Sequence, residues 1–174
     1  FNSAEGYRKS ADRSERAFGV RPVGIRTHLL RLSCPETWKA QAKAGFLYDA
    51  TFGLRERAGF RDDRLHPFCP VEPGQGAEIG IVALPLAAMD SSLFHETGLD
   101  PDRALTVLDG LLDEVKRAGG LLSLLWHNNF FDEPEYRVRE DVYVEFLRRV
   151  AALKPWCATG AEIARWWRKQ GRQK

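Results

Sequence analysis

The sequence predicts an α/β domain built on parallel strands. Short, uniformly apolar stretches alternate with segments of helical periodicity, and the links between those stretches are long enough to hold a helix. Polar, titratable residues also recur where the apolar stretches stop, which is where parallel α/β folds place their functional groups.

The elements follow in order. Asn2 with Glu5 has capping-box spacing and Gly19 is a stop, so a helix is expected over Ser3–Phe18. Val23-Gly-Ile-Arg-Thr-His28, preceded by Pro22, reads as a short strand ending near Arg26. Ser33, Pro35 and Glu36 start a second helix that Gly45 closes, and Phe46-Leu-Tyr-Asp49 is the next strand. From Gly53 to Gly76 glycine, proline and mixed charge predict a long irregular loop, and the island His66-Pro-Phe-Cys-Pro-Val71 is too rich in proline for a central strand.

Glu78 to Leu86 is the third strand, ended by Pro85, followed by a loop with Asp90 and His95. Asp100-Pro101 opens a helix whose Leu105, Leu108, Leu112 and Val115 recur at helical spacing up to Gly119. Leu121 to Trp126 is a buried fourth strand that stops at His127. Further helices are expected over Arg139–Leu153 and from the box Thr159-Gly-Ala-Glu162, the latter carrying Trp166 and Trp167 into a basic tail.

Composition narrows the function classes. The 174 residues, 44% hydrophobic, support one substantial core. Lys and Arg number 26 against 24 Asp and Glu, with the signs interspersed, so no nucleic-acid partner is expected. The apolar runs fall far short of the roughly 20 residues a membrane helix needs, so no membrane span is expected. Cys34, Cys69 and Cys157 are odd in number, widely spaced and in no zinc pattern, which leans toward a reducing, cytoplasmic compartment.

The candidate residues sit at the strand ends, each beside a plainer role. His127 follows a buried run, where an acid or base and a histidine bonded to a backbone carbonyl are equally open readings. Arg26 could pair with a surface acid, or its planar fork could orient a carboxylate. Asp49 could cap a turn or act in catalysis, and Asp90, ahead of Ser91-Ser92, suits an N-cap. Together these residues predict a half-site with a histidine acid or base and an arginine clamp, its reaction unspecified.

Several segments carry a resemblance. Gly24-Ile-Arg-Thr-His-Leu-Leu-Arg31, Thr37-Trp38, Ala44-Gly-Phe-Leu-Tyr-Asp-Ala-Thr51, Leu84-Pro-Leu86 with Met89-Asp90, and Leu125-Trp-His-Asn128 together resemble the second half of a polysaccharide deacetylase domain, of the NodB-like, carbohydrate esterase family 4 type. The resemblance implies part of a distorted (β/α)7-type barrel of parallel strands and outer helices. It also implies metal-dependent hydrolysis of an N-acetyl or O-acetyl group on a glycan or amino-sugar precursor.

On that resemblance Arg26 corresponds to the arginine that orients the base, His127 to the general acid, and Asp49 to the acidic position that tunes the histidine. His28, Trp126 and Asp90 are the expected substrate contacts. His28 stands where the family has proline. The divalent metal, zinc or similar, has its expected ligands in a segment upstream of Phe1, since no histidine precedes Arg26 and Asp12 falls mid-helix. The chain is thus expected to be the C-terminal portion of a single deacetylase-like domain. A noncatalytic carbohydrate- or protein-binding domain on the same scaffold, or a hydrolase of a non-peptide C–N bond, are the alternatives.

Overall fold

The computed structural model describes residues 3–128 and 137–171. Helices α1 (Ala4–Phe18), α2 (Glu36–Ala44), α3 (Pro101–Ala118), α4 (Arg137–Ala152) and α5 (Gly160–Gly171) are interspersed with strands β1 (Gly24–Ile25), β2 (Tyr48–Asp49), β3 (Val82–Ala83), β4 (Ala88–Met89) and β5 (Leu124–Leu125). All strand pairs are parallel, in one sheet ordered β1-β2-β3 and another pairing β4 with β5. The expected α/β class is therefore observed.

The chain divides into two compact units. The first contains residues up to Phe52, His66–Leu84 and the chain from Ala158 on. Its helix α1 starts on Ser3, whose hydroxyl accepts the Gly6 N–H at 3.1 Å, while the expected cap Asn2 lies outside the described residues. Helix α2 ends as expected on Gly45, whose φ of 96° is open to glycine and costly for a residue with a Cβ. Both helices pack on a core of Tyr7, Ala11, Trp38, Phe46, Phe52 and Ile81. Gly24 lies against the Tyr48 ring so closely that a Cβ there would fall 1.9 Å from Tyr48 Cζ.

The second unit contains Gly53–Leu65 and Pro85–Cys157. Helices α3 and α4 bury Leu108, Val115, Val142 and Phe146 around Ala88 and Leu93. Asp100 caps α3 by accepting the Arg103 N–H at 2.9 Å, as its sequence position predicts.

Three expectations about elements need correction. The stretch from Glu78 to Leu86 is not one strand: Glu78 bridges back to Val71, and only Val82–Ala83 joins the first sheet. Pro85 has no N–H to continue the ladder, and the chain resumes as β4 in the second sheet, where a loop is expected from sequence. The loop from Gly53 to Gly76 is not uniformly irregular, since it contains a 3₁₀ turn over Arg61–Asp63 and a Phe68 to Ala83 bridge. Finally, Leu121 to Trp126 is only half-buried, because β5 has a single strand neighbour, β4, among the described residues.

Candidate functional site

Strands β4 and β5 run parallel in the register Met89↔Leu125, so the residues just beyond both ends emerge side by side. Asp90 follows Met89, and His127 lies two residues after Leu125. Asp90 is fully buried and accepts three hydrogen bonds. Its Oδ1 takes the Ser91 N–H at 2.6 Å and stands 2.7 Å from His127 Nδ1, while Oδ2 takes the His127 backbone N–H at 2.7 Å. One carboxylate thus holds the histidine at its backbone and at its ring.

The two partners differ in exposure, and that difference decides what the pair can do. The Asp90 side chain is 0% exposed and that of His127 is 46% exposed. A carboxylate facing Nδ1 favours a proton on that nitrogen, leaving Nε2 as the ring atom that takes up or gives away a proton. Beside His127, the Trp126 ring packs on Phe94 and Tyr143, with centroids 6.0 and 5.1 Å away, and its buried Nε1–H has no hydrogen-bond partner among the described residues.

Arg26, His28 and Asp49 belong to the first unit. Asp49, in β2, is 0% exposed and accepts four hydrogen bonds: from Trp38 Nε1 at 3.2 Å, Gln41 Nε2 at 3.0 Å, the Thr51 N–H at 3.1 Å and the Thr51 hydroxyl at 2.5 Å. Burial raises its pKa above the ordinary carboxylate value, against the lowering effect of those donors. Thr51 Oγ1 also accepts the Thr27 N–H at 2.9 Å, tying the end of β1 to the end of β2.

Arg26 follows β1 directly, and its Nε donates to the Ala50 carbonyl at 2.9 Å. Desolvation of its inner edge lowers its pKa, while the charge of Asp49 and Tyr48 opposes that fall; the guanidinium remains a cation at neutral pH. His28 is exposed, at the start of a short 3₁₀ turn.

The structure therefore brings together two of the residues singled out from sequence, His127 and Asp90, with Trp126 adjoining. The carboxylate bonded to His127 is Asp90, a residue expected from sequence as an N-cap and, on the resemblance, as a substrate contact. Asp49, which the resemblance matches to the acidic position that tunes the histidine, accepts hydrogen bonds from Trp38, Gln41 and Thr51. The available signal was the resumption of apolar residues at Leu86-Ala-Ala-Met89 after Pro85, which marks a strand ending on Asp90. The Asp90 N-cap contact is also present, through Ser91.

Solved structures with similar folds match nearly the whole chain. A candidate polysaccharide deacetylase from Mycobacterium smegmatis superposes with a TM-score of 0.70 and 27% identity, covering 97% of this chain and 58% of its own. The allantoinase PuuE shares the fold, with a TM-score of 0.69 and 19% identity over 94% of this chain and 52% of its own. The chain thus has a deacetylase-like fold. It spans between half and three-fifths of the length of those two proteins. No protein-family model matches it, and no curated protein matches it.

The metal implied by the resemblance can be tested on the donors. Among the described residues no group of three or more His, Cys, Asp or Glu side chains could hold a metal ion. Asp90 and Asp49 are already engaged by three and four donors. The described residues do not form a metal site. No helix among them is long and apolar enough to cross a membrane, and among the described residues Cys34, Cys69 and Cys157 form no disulfide.

Proposed function

We propose that this chain supplies the histidine side of a hydrolytic site that removes an acetyl group from an N-acetylated or O-acetylated glycan or amino-sugar precursor. The carrying observation is the Asp90–His127 pair, a fully buried carboxylate on Nδ1 of a half-exposed imidazole at adjacent parallel strand ends. In the proposed whole protein this chain is the C-terminal portion of a single barrel domain. A divalent metal is held there by residues other than those described.

The step that belongs to this chain is proton donation. After water adds to the acetyl carbonyl, the C–N bond breaks and its electron pair goes to nitrogen. His127 Nε2–H delivers its proton to that nitrogen, so an amine leaves and the acetyl carbon departs as acetate. For an O-acetyl ester the same proton goes to the leaving oxygen. Asp90 holds the ring orientation and offsets the imidazolium charge. Arg26 is the proposed orienting group for the base, Asp49 fixes the segment behind it, and His28 and Trp126 are the proposed substrate contacts.

The test is acetate release from N-acetylglucosamine oligomers by the full-length protein. His127→Ala should lower turnover by about 10²–10⁴-fold, the usual contribution of a positioned acid. Wild-type turnover in that variant would refute the reading. Release of ammonia or an amine from a non-sugar amide, with no acetate from the oligomers, would assign the chemistry to another C–N bond. Oligomer binding without hydrolysis would make the domain a binding module.

A further inference from the structure

We infer that Ser92 is a positioning residue for His127 that acts through Asp90; the inference rests on reading His127 as the proton donor. Ser92 is fully buried, two residues beyond the carboxylate. Its hydroxyl donates to the Met89 carbonyl at 2.8 Å and accepts the Met89 N–H at 3.1 Å. Both backbone polar groups of the last β4 residue are thus bonded to one side chain from the turn that follows.

That turn is a π-helical segment over Ser91–Glu96, a rare geometry that is frequent at functional sites. Thr97 Oγ1 lies 2.9 Å from the Ser92 carbonyl oxygen and 2.8 Å from that of Leu93, bracing the same turn from its far end. Asp90 is enclosed between Met89 and Ser92, with φ −53° and ψ −44°. With the backbone held on both sides, only the two side-chain torsions of Asp90 remain to aim the carboxylate. The aim must satisfy three donors at 2.6–2.7 Å at once, so a small backbone shift would break at least one. Alanine at position 92 would also leave the Met89 N–H and carbonyl without their hydroxyl partner inside a buried strand end.

The experiment uses the full-length protein and reads the His127 ring by ¹H–¹⁵N NMR alongside acetate release. Wild type should show a slowly exchanging, downfield Nδ1 proton bonded to Asp90. Ser92→Ala should broaden or shift that signal and lower kcat about tenfold at unchanged KM, the scale of a displaced catalytic group. Ser92→Thr, which keeps the hydroxyl, should restore both.

A wild-type signal and kcat in Ser92→Ala, whatever its melting temperature, would overturn the assignment. If the alanine variant fails to fold, Ser92→Cys replaces it, and identical His127 signals in the cysteine and threonine variants would overturn it equally. Full turnover in His127→Ala would defeat the proton-donor reading by itself, while the ring signal would still report whether Ser92 positions the pair.

Discussion

Replacing Asp90 by asparagine changes one atom's chemistry and leaves the volume nearly constant. If the amide oxygen takes the Oδ1 position, it accepts from Ser91 and from His127 Nδ1, but the NH2 group then faces the His127 backbone N–H now 2.7 Å from Oδ2. If the amide is turned over, the backbone contact is kept, but NH2 faces the Ser91 N–H and forces the His127 proton onto Nε2. Either orientation opposes two donors at a position that is 0% exposed. Such a mismatch costs about 1–3 kcal/mol. For a chain of this size each kcal/mol is roughly 2–4 °C in Tm, so Asp90→Asn should melt about 2–12 °C lower. Thermal unfolding followed by near-ultraviolet circular dichroism measures this, with ¹⁵N chemical shifts reporting the ring tautomer. An unchanged Tm together with an unchanged tautomer would refute the assignment of Asp90 as the group that fixes His127.

Three further outcomes are expected. Burial raises the Asp49 pKa above its ordinary 3.8, so the folded state binds more protons than the unfolded one as pH rises through the interval above 3.8, and stability falls there; the Tm advantage of wild type over Asp49→Asn should shrink with rising pH, and an advantage that grows would contradict it. Gly24→Ala should destabilise by about 1–3 kcal/mol in urea unfolding, since the Tyr48 ring it meets is closed in from another side by Gly160, whose own Cβ would lie 2.6 Å from Tyr48 Cζ; Tyr48→Ala in the same chain should recover part of the loss, and full stability of the single variant would refute the contact. Phe146→Ala, at a 0% exposed site in the α3–α4 core, should cost about 3–5 kcal/mol by denaturant midpoint, and a loss below about 1 kcal/mol would place that ring outside the core.

What could be read from the sequence depended on whether a local signal sufficed. Helix ends were legible because caps are local: Gly19, Gly45 and Gly119 stop their helices, Asp100 starts α3, and the Thr159 to Glu162 box forms with the Thr159 N–H 2.8 Å from the Glu162 carboxylate. Strand extents were harder, because a buried apolar run has no period of its own and only its ladder partners decide where pairing stops. Residues Ile81 to Asp90 are buried without interruption, yet the first part pairs with β2 and the last with β5, and Pro85 between them marked the change.

The same limit governed the site. His127 was legible because it ends an apolar run, a one-dimensional feature. Its partner was not, since Asp49 and Asp90 both follow short apolar stretches and both suit a local cap. What separates them is long-range: Asp49 lies over α2, where Trp38 and Gln41 saturate it, and Asp90 lies beside β5, where the parallel register delivers His127 to it. Two aspartates with similar local sequence are therefore assigned different work by which neighbour the sheet order gives them. A carboxylate paired with a half-exposed imidazole can support proton transfer, whereas one bonded by four buried donors holds its segment in place through those bonds.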